Sequence, residues 1–246
     1  MKTTLLIFTL NEIDGMKAIM PRIRKEWCDQ ILIVDGKSQD GTVEYARSLG
    51  YEVVIQNKKG IRHAFNEAFP YVKGDVVITF SPDGNSIPEL IPNLIGKMKE
   101  GYDMVIVSRY LGDAKSEDDT LLTTIGNWIF TQLINWLHGG KYTDAMVIFR
   151  AYRTELFCEL GLDREEAYKM ERLFKTVISI EPLLSVRAAK QKLKIAEIPG
   201  DEPKRLGGVK KVLPFRWGGS YLLQVLRETY YWRRPLKLHE KGPTHP

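Results

Sequence analysis

Residues 30–56, QILIVDGKSQDGTVEYARSLGYEVVIQ, decide the fold. Gln30 to Val34 is a short apolar run of strand length that stops at Asp35-Gly36. Thr42 to Leu49 has helical periodicity, and Gly50 supplies a cap after it. Glu52 to Gln56 is apolar and β-branched again, a second strand. The same alternation extends both ways. Upstream lie a strand over Leu5 to Leu10 and a helix over Gly15 to Trp27. Met16, Ile19, Met20 and Ile23 share one face of that helix, and Pro21 is the point where it kinks or breaks. Downstream come a helix over Gly60 to Phe69, a strand over Asp75 to Phe80, a helix over Pro88 to Glu100 and a strand over Asp103 to Ser108. Strands separated by helices of about a dozen residues are βαβ units, which predict an α/β protein with a mostly parallel central sheet flanked by helices.

The remainder reads differently. Leu121 to Leu137 is a long apolar helix carrying Trp128 and Trp136, and Thr143 to Arg150 is strand-like. Glu171 to Ser179 is apolar and periodic. Pro182 opens a helix to about Gln191, and Ile195 to Pro199 is a short strand. Gly207 to Lys211 is a basic loop, and Phe215 to Arg234 is aromatic and basic.

With 246 residues, 43% apolar and 27% charged, the chain fits one large globular domain and excludes a disordered, collagen-like or disulfide-stapled protein. Thirty-six Lys and Arg against 31 Asp and Glu leave +5, too little for a nucleic-acid partner but suited to phosphates or anionic lipid. Cys28 and Cys158 alone suggest reduced thiols and a cytoplasmic setting. No leader-like segment and no run of 18 apolar residues is visible.

In a doubly covered parallel sheet the ligand sits beyond the carboxyl ends of the strands. That rule selects Thr9 to Glu12, Asp35 to Asp40, Ser81 to Asn85 and Ser108-Arg109. Glu12, Asp35 and Asp83 can accept from a base or ribose, or bind a hard cation. Asp83 and Asn85, two residues apart, either offer oxygens to Mg²⁺ or Mn²⁺ or close an Asx turn over Gly84. No HExxH, CxxC pair, P-loop, GxSxG elbow or GxGxxG after the first strand occurs, which leaves zinc, serine-hydrolase and dinucleotide chemistry unsupported.

These residues resemble family 2 glycosyltransferases of the GT-A nucleotide-diphospho-sugar transferase fold, in the dolichyl-phosphate-mannosyltransferase-like branch. The resemblance is carried, in family order from residue 5 to about residue 212, by Phe8-Thr9-Leu10-Asn11-Glu12, by Val34-Asp35-Gly36-Lys37-Ser38-Gln39-Asp40-Gly41-Thr42, and by Asp83-Gly-Asn-Ser-Ile-Pro88-Glu89. Ser108-Arg109-Tyr110, Thr143-Asp144 with Phe149-Arg150, Ile180-Glu181-Pro182-Leu183 and the basic loop Arg205 through Lys211 complete it.

The resemblance implies inverting, metal-dependent transfer of a sugar from a UDP- or GDP-linked donor to a polyprenyl-phosphate, lipid-linked or saccharide acceptor. It implies donor contacts by Thr9, Asn11, Glu12, Asp35, Arg62, Ser81, Lys210 and Lys211, and a Mg²⁺ or Mn²⁺ on Asp83 and Asn85. Arg109, Arg150 and Arg205 would face the acceptor, with Glu181 and Asp144 as the acceptor-side catalytic carboxylates. Three departures stand out: Ser81 replaces the first Asp of the metal motif, Gly36 replaces the second Asp of Asp-Asp-Gly, and residues 119–126 lack the basic residue usual in polyprenyl-phosphate enzymes. The first of these keeps open a catalytically weak relative that acts as a nucleotide- or lipid-binding module. The expected division is a catalytic domain over 1–212, an aromatic and basic segment over 213–236 and a tail over 237–246. Segments 121–137 and 215–234 suit a peripheral seat on the inner membrane face; packing on the sheet or a homodimer contact are the alternatives.

Overall fold

The fold is that of a computed structural model in which residues 1–206 and 214–232 are described. Seven strands form one sheet: β1 Thr3–Thr9, β2 Gln30–Asp35, β3 Glu52–Ile55, β4 Val76–Phe80, β5 Met104–Ser108, β6 Arg150–Arg153 and β7 Ile195–Pro199. Their order is β3-β2-β1-β4-β6-β5-β7, and all pairs are parallel except those of β6, which runs antiparallel to both β4 and β5. The helices are α1 Ile13–Ile19, α2 Thr42–Ser48, α3 Ile61–Ala68, α4 Ile91–Lys99, α5 Leu121–His138, α6 Leu156–Glu159, α7 Met170–Phe174, α8 Glu181–Lys190 and α9 Pro214–Tyr231.

All seven residues of β1 are buried, as a central strand of a doubly covered sheet requires. Its side chains alternate between two cores. Leu5 and Ile7 join Met16, Ile33, Ile78 and Leu94 on one face. Leu6 and Phe8 join Phe65, Val34, Leu183 and Leu184 on the other. The parallel register sets Thr9 beside Asp35, so the tips of β1 and β2 present these two side chains together.

Several expected elements differ. The helix expected over Gly15 to Trp27 ends at Ile19, because Pro21 opens a separate 3₁₀ turn over Met20–Arg22. Thr143 to Phe149 is not a strand. The backbone amides of Thr143 and Asp144 donate to the Glu197 carboxylate, at 2.8 and 3.0 Å, so this stretch is committed to a side chain before the ladder begins at Arg150. The helix within Glu171 to Ser179 is only α7, ended by Lys175 at φ +48°. α5 is capped by a Thr120–Thr123 capping box and by Gly139 in the left-handed region.

The aromatic C-terminal segment forms α9, packed against α5, α7 and α8. The Arg187 guanidinium meets the Glu228 carboxylate at 2.9 and 3.0 Å, with both side chains out of solvent (2% and 0% exposed). His138 bonds the carbonyl of Val225 at 3.0 Å. Lys210, Lys211 and the tail over 237–246 lie outside the described residues. No helix among the described residues is long and apolar enough to cross a membrane.

Candidate functional site

At the tips of β1 and β2 the Asp35 carboxylate is buried and fully engaged. The Thr9 hydroxyl donates to it at 2.7 Å, the Ser38 hydroxyl at 2.6 Å and the Ser38 backbone amide at 2.7 Å. Asn11 takes φ +53°, a conformation Asn tolerates better than most residues. Its amide donates to the Ser38 hydroxyl at 2.7 Å, and its side-chain oxygen accepts from the Gln39 amide at 2.9 Å. The Glu12 amide donates to Thr42 Oγ1 at 3.1 Å, and the Glu12 side chain is buried beside this crossing. Burial alone would raise the Asp40 carboxyl, but the Thr42 hydroxyl and the Ile13 and Thr42 amides outweigh it and hold it below the usual carboxylate range. The two loops therefore brace one another, and Thr9, Asn11, Glu12 and Asp35 come together as one rigid floor.

The next tip is that of β4. Gly15 in α1 is what lets this loop lie close: a Cβ there would stand 2.3 Å from the Pro82 carbonyl oxygen. Ser81 is half-buried at the strand end, and Asp83 is buried. The Asn85 amide donates to Asp83 Oδ1 at 3.3 Å across Gly84, which has φ +92°; the Asx turn offered by the sequence is present. The other carboxylate oxygen, Asp83 Oδ2, faces the Arg205 guanidinium at 3.0 Å. Asp118 lies 3.9 Å from the same guanidinium nitrogen. The Leu206 amide donates to the Asp83 carbonyl at 2.9 Å, and Asn85 Nδ2 donates to Glu202 at 3.4 Å. Arg205, expected on the acceptor, is thus placed on Asp83, the carboxylate expected to hold the metal.

Beside it, Arg109 grips Asp144 with two nitrogens, at 2.6 and 3.1 Å. A third nitrogen lies 3.3 Å from both Asp119 and Glu202. Burial acts to lower the Arg109 pKa, but Asp144 and Glu202 reverse it and keep the guanidinium firmly charged. Burial pushes the Glu202 carboxyl up, against the pull of Arg109 and the Ser116 hydroxyl. Glu202 links the Asp83–Asn85 turn to the Arg109 cluster, since it contacts both Asn85 and Arg109.

Three expected residues are buried and held by other groups of the interior. Arg150, expected on the acceptor, is completely buried. Its guanidinium donates to Val147 and Ala145 carbonyls and to Ser185 Oγ at 2.8, 3.2 and 3.0 Å, and burial lowers its pKa. Arg62, expected on the donor, is buried under Tyr168 and doubly paired with Glu171 and Glu165. Glu181 is buried at the start of α8, where the Ser179 hydroxyl donates to Oε2. Burial raises its pKa, more than the opposing Arg150 charge and Ser179 bond lower it. Glu202, Asp119 and Glu197 join these clusters without having been singled out as site residues. The strand-tip rule reaches Glu202 once β7 is counted as a parallel strand beside β5.

The model of the family described as glycosyl transferase family 2 matches residues 4–161. A glycosyltransferase of Haloferax volcanii, AglJ, is 28% identical over 221 residues, 89% of this chain and 69% of its own. A dolichyl-phosphate hexose transferase of the same organism is 31% identical over 214 residues, 86% of this chain and 87% of its own. Among solved structures, glucosyl-3-phosphoglycerate synthase of Mycobacterium tuberculosis with Mn²⁺, UDP and phosphoglyceric acid superimposes with a TM-score of 0.62. It covers 93% of this chain and 78% of its own at 17% identity, a likeness of fold. The architecture is the GT-A arrangement that the sequence motifs imply.

Proposed function

The chain belongs to glycosyl transferase family 2, and from that premise we propose that it moves a sugar, with inversion, from a UDP- or GDP-linked donor to a polyprenyl-phosphate or other lipid-linked acceptor. The carrying observation is the convergence at one sheet edge of the braced Thr9–Asn11–Glu12–Asp35 floor, the Asp83–Asn85 turn and the Arg109 cluster. The floor suits a nucleoside, and Lys210 and Lys211 are assigned to the diphosphate as the family motif implies.

Asp83 and Asn85 fit a hard cation by their chemistry. They are oxygen donors two residues apart on a rigid turn, and Asp83 already attracts a positive group. Mg²⁺ binds through one or two carboxylates and takes its remaining ligands from phosphate and water. A bound cation would supply Lewis-acid stabilisation of the charge on the departing diphosphate. The acceptor oxygen forms a bond to the anomeric carbon from the opposite face. The bond from that carbon to the diphosphate oxygen breaks, and its electron pair leaves on the nucleoside diphosphate.

A hydroxyl acceptor would need a base near neutral pH. The two carboxylates expected in that role are committed elsewhere, Glu181 to the core and Asp144 to Arg109. A phosphate acceptor is already anionic and needs no base, and the dolichyl-phosphate relative supports that class. The outward face of α5 supports a lipid-borne acceptor as well. Leu121, Ile125, Trp128, Ile129 and Trp136 form an exposed stripe, with Trp136 81% and Trp128 64% exposed, and Phe215 of α9 is 86% exposed. Such a stripe suits a peripheral seat on the cytoplasmic membrane face.

The experiment is a donor screen with UDP- and GDP-sugars, polyprenyl phosphate and Mn²⁺, read as released nucleoside diphosphate and as glycolipid. One donor should give both products, and Asp83→Ala should abolish them along with any Mn²⁺-dependent rise in melting temperature on adding the nucleoside diphosphate. A wild-type protein that is not stabilised by UDP or GDP and turns over no donor would refute the reading and favour a non-catalytic module.

A further inference from the structure

The strap after β7, residues 200–206, crosses the tip of β4 at three points. Asn85 donates to Glu202, the Leu206 amide donates to the Asp83 carbonyl, and Arg205 pairs with the Asp83 carboxylate at 3.0 Å. The Leu206 side chain lies so close over Gly84 that a Cβ there would be 2.5 Å from its Cγ. The carboxylate that would hold a cation therefore already holds one.

The pairing is incomplete on the arginine side. Arg205 Nε is buried and has no hydrogen-bond partner among the described residues, and the second carboxylate near the guanidinium, Asp118, is 3.9 Å away. A buried donor without an acceptor is costly, so this guanidinium is held by one good contact and against one unmet need. Nearby, Asp118, Asp119, Asp144 and Glu202 gather four carboxylates around Arg109 and Arg205. The neighbourhood favours a more compact and more highly charged cation over a guanidinium.

We infer that Arg205 is a built-in counter-ion of Asp83 that a divalent cation must displace, so that this one residue sets how tightly the site takes its metal. The inference rests on the metal reading given above. Arg205 leaves the carboxylate when the cation arrives, and the strap loses its charged contact with Asp83 at the same moment, keeping the Glu202–Arg109 pair. Metal entry and loosening of the strap are then two sides of one exchange, with reciprocal effects on each other's equilibrium.

The test is direct titration of the full chain with Mn²⁺ alone, followed by electron paramagnetic resonance of the free ion, in wild type and in R205A, K204A and D83N. Lys204 is an exposed neighbour, so K204A removes the same charge without touching Asp83. R205A should lower the Mn²⁺ dissociation constant about five-fold or more, the scale of coupling between contacting groups. K204A should change it less than about two-fold, the scale of a screened surface charge. D83N should lose the binding. In the metal-free state R205A should melt below wild type, and saturating Mn²⁺ should close that gap. An R205A affinity equal to that of K204A, a weaker one, or no Mn²⁺ binding by R205A at all would overturn the inference. Mn²⁺ binding that survives in D83N would instead remove the metal reading on which it stands.

Discussion

Replacing Glu228 by alanine should cost about 3 kcal/mol of folding free energy, the lower end of what removing one partner of a buried ion pair costs. The carboxylate of Glu228 is wholly buried in α9 and receives two bonds from Arg187 in α8, at 2.9 and 3.0 Å. Removing it strands a guanidinium that is only 2% exposed. The lower end applies because Arg187 keeps two other acceptors, the carbonyls of Leu160 and Gly161, and the ring of Trp232 lies 5.1 Å away. For a chain of this length each kcal/mol moves the midpoint by about 2–4 °C, so a fall of about 6–12 °C is expected by calorimetry or circular dichroism. Glu228→Gln, which retains an acceptor, should fall less. The pair R187M/E228L should recover most of the loss, since two apolar groups of similar volume can replace a buried ion pair at little cost. A Glu228→Ala shift below about 2 °C, or a double variant less stable than the single, would refute the reasoning.

Two further outcomes follow from the buried and exposed extremes of the molecule. Burial holds the Glu181 carboxyl above its ordinary pKa, so the unfolded chain ionises first as pH rises. The native state therefore loses stability from the unfolded pKa up to the folded one, and Glu181→Gln should gain on wild type in urea midpoints as pH rises above about 4.3, the ordinary Glu value; a difference constant with pH would contradict this. Trp128→Ser with Trp136→Ser should leave the melting temperature nearly unchanged, because both rings are exposed, yet weaken sedimentation with anionic liposomes. Equal sedimentation of variant and wild type would point instead to a contact between proteins on this face.

The legible part of the fold was the part written in local pattern. β1, β2, β4 and β5 are apolar runs bounded by turns, and they match their expected positions within a residue or two. β6 escaped because Arg150-Ala-Tyr-Arg153 has an arginine at each end, while the apolar Val147-Ile-Phe149 before it is loop. What makes it loop is Glu197, whose carboxylate claims the amides of Thr143 and Asp144 from more than fifty residues away. The site divided along the same line. Thr9 and Asp35 meet because parallel register follows from the βαβ pattern. Arg62, Arg150 and Glu181 look in sequence like groups awaiting a phosphate or a proton. Arg62 is answered by Glu171, 109 residues away, which no local pattern reports; Arg150 and Glu181 bond near neighbours, Val147 and Ser179, and no local pattern reports that the fold buries both.

The reversed strand β6 has a consequence for how such a protein can change. β5 runs up to the cleft at Ser108, and β6 starts down from it at Arg150, paired through Ile106 and Arg150. Everything between, including the outward-facing helix with its tryptophans, departs from and returns to the same rim. That excursion could be lengthened, shortened or exchanged while the strands below keep their alignment. The Thr9–Asp35 floor and the Asp83–Asn85 turn, built within the first 85 residues, lie outside that excursion.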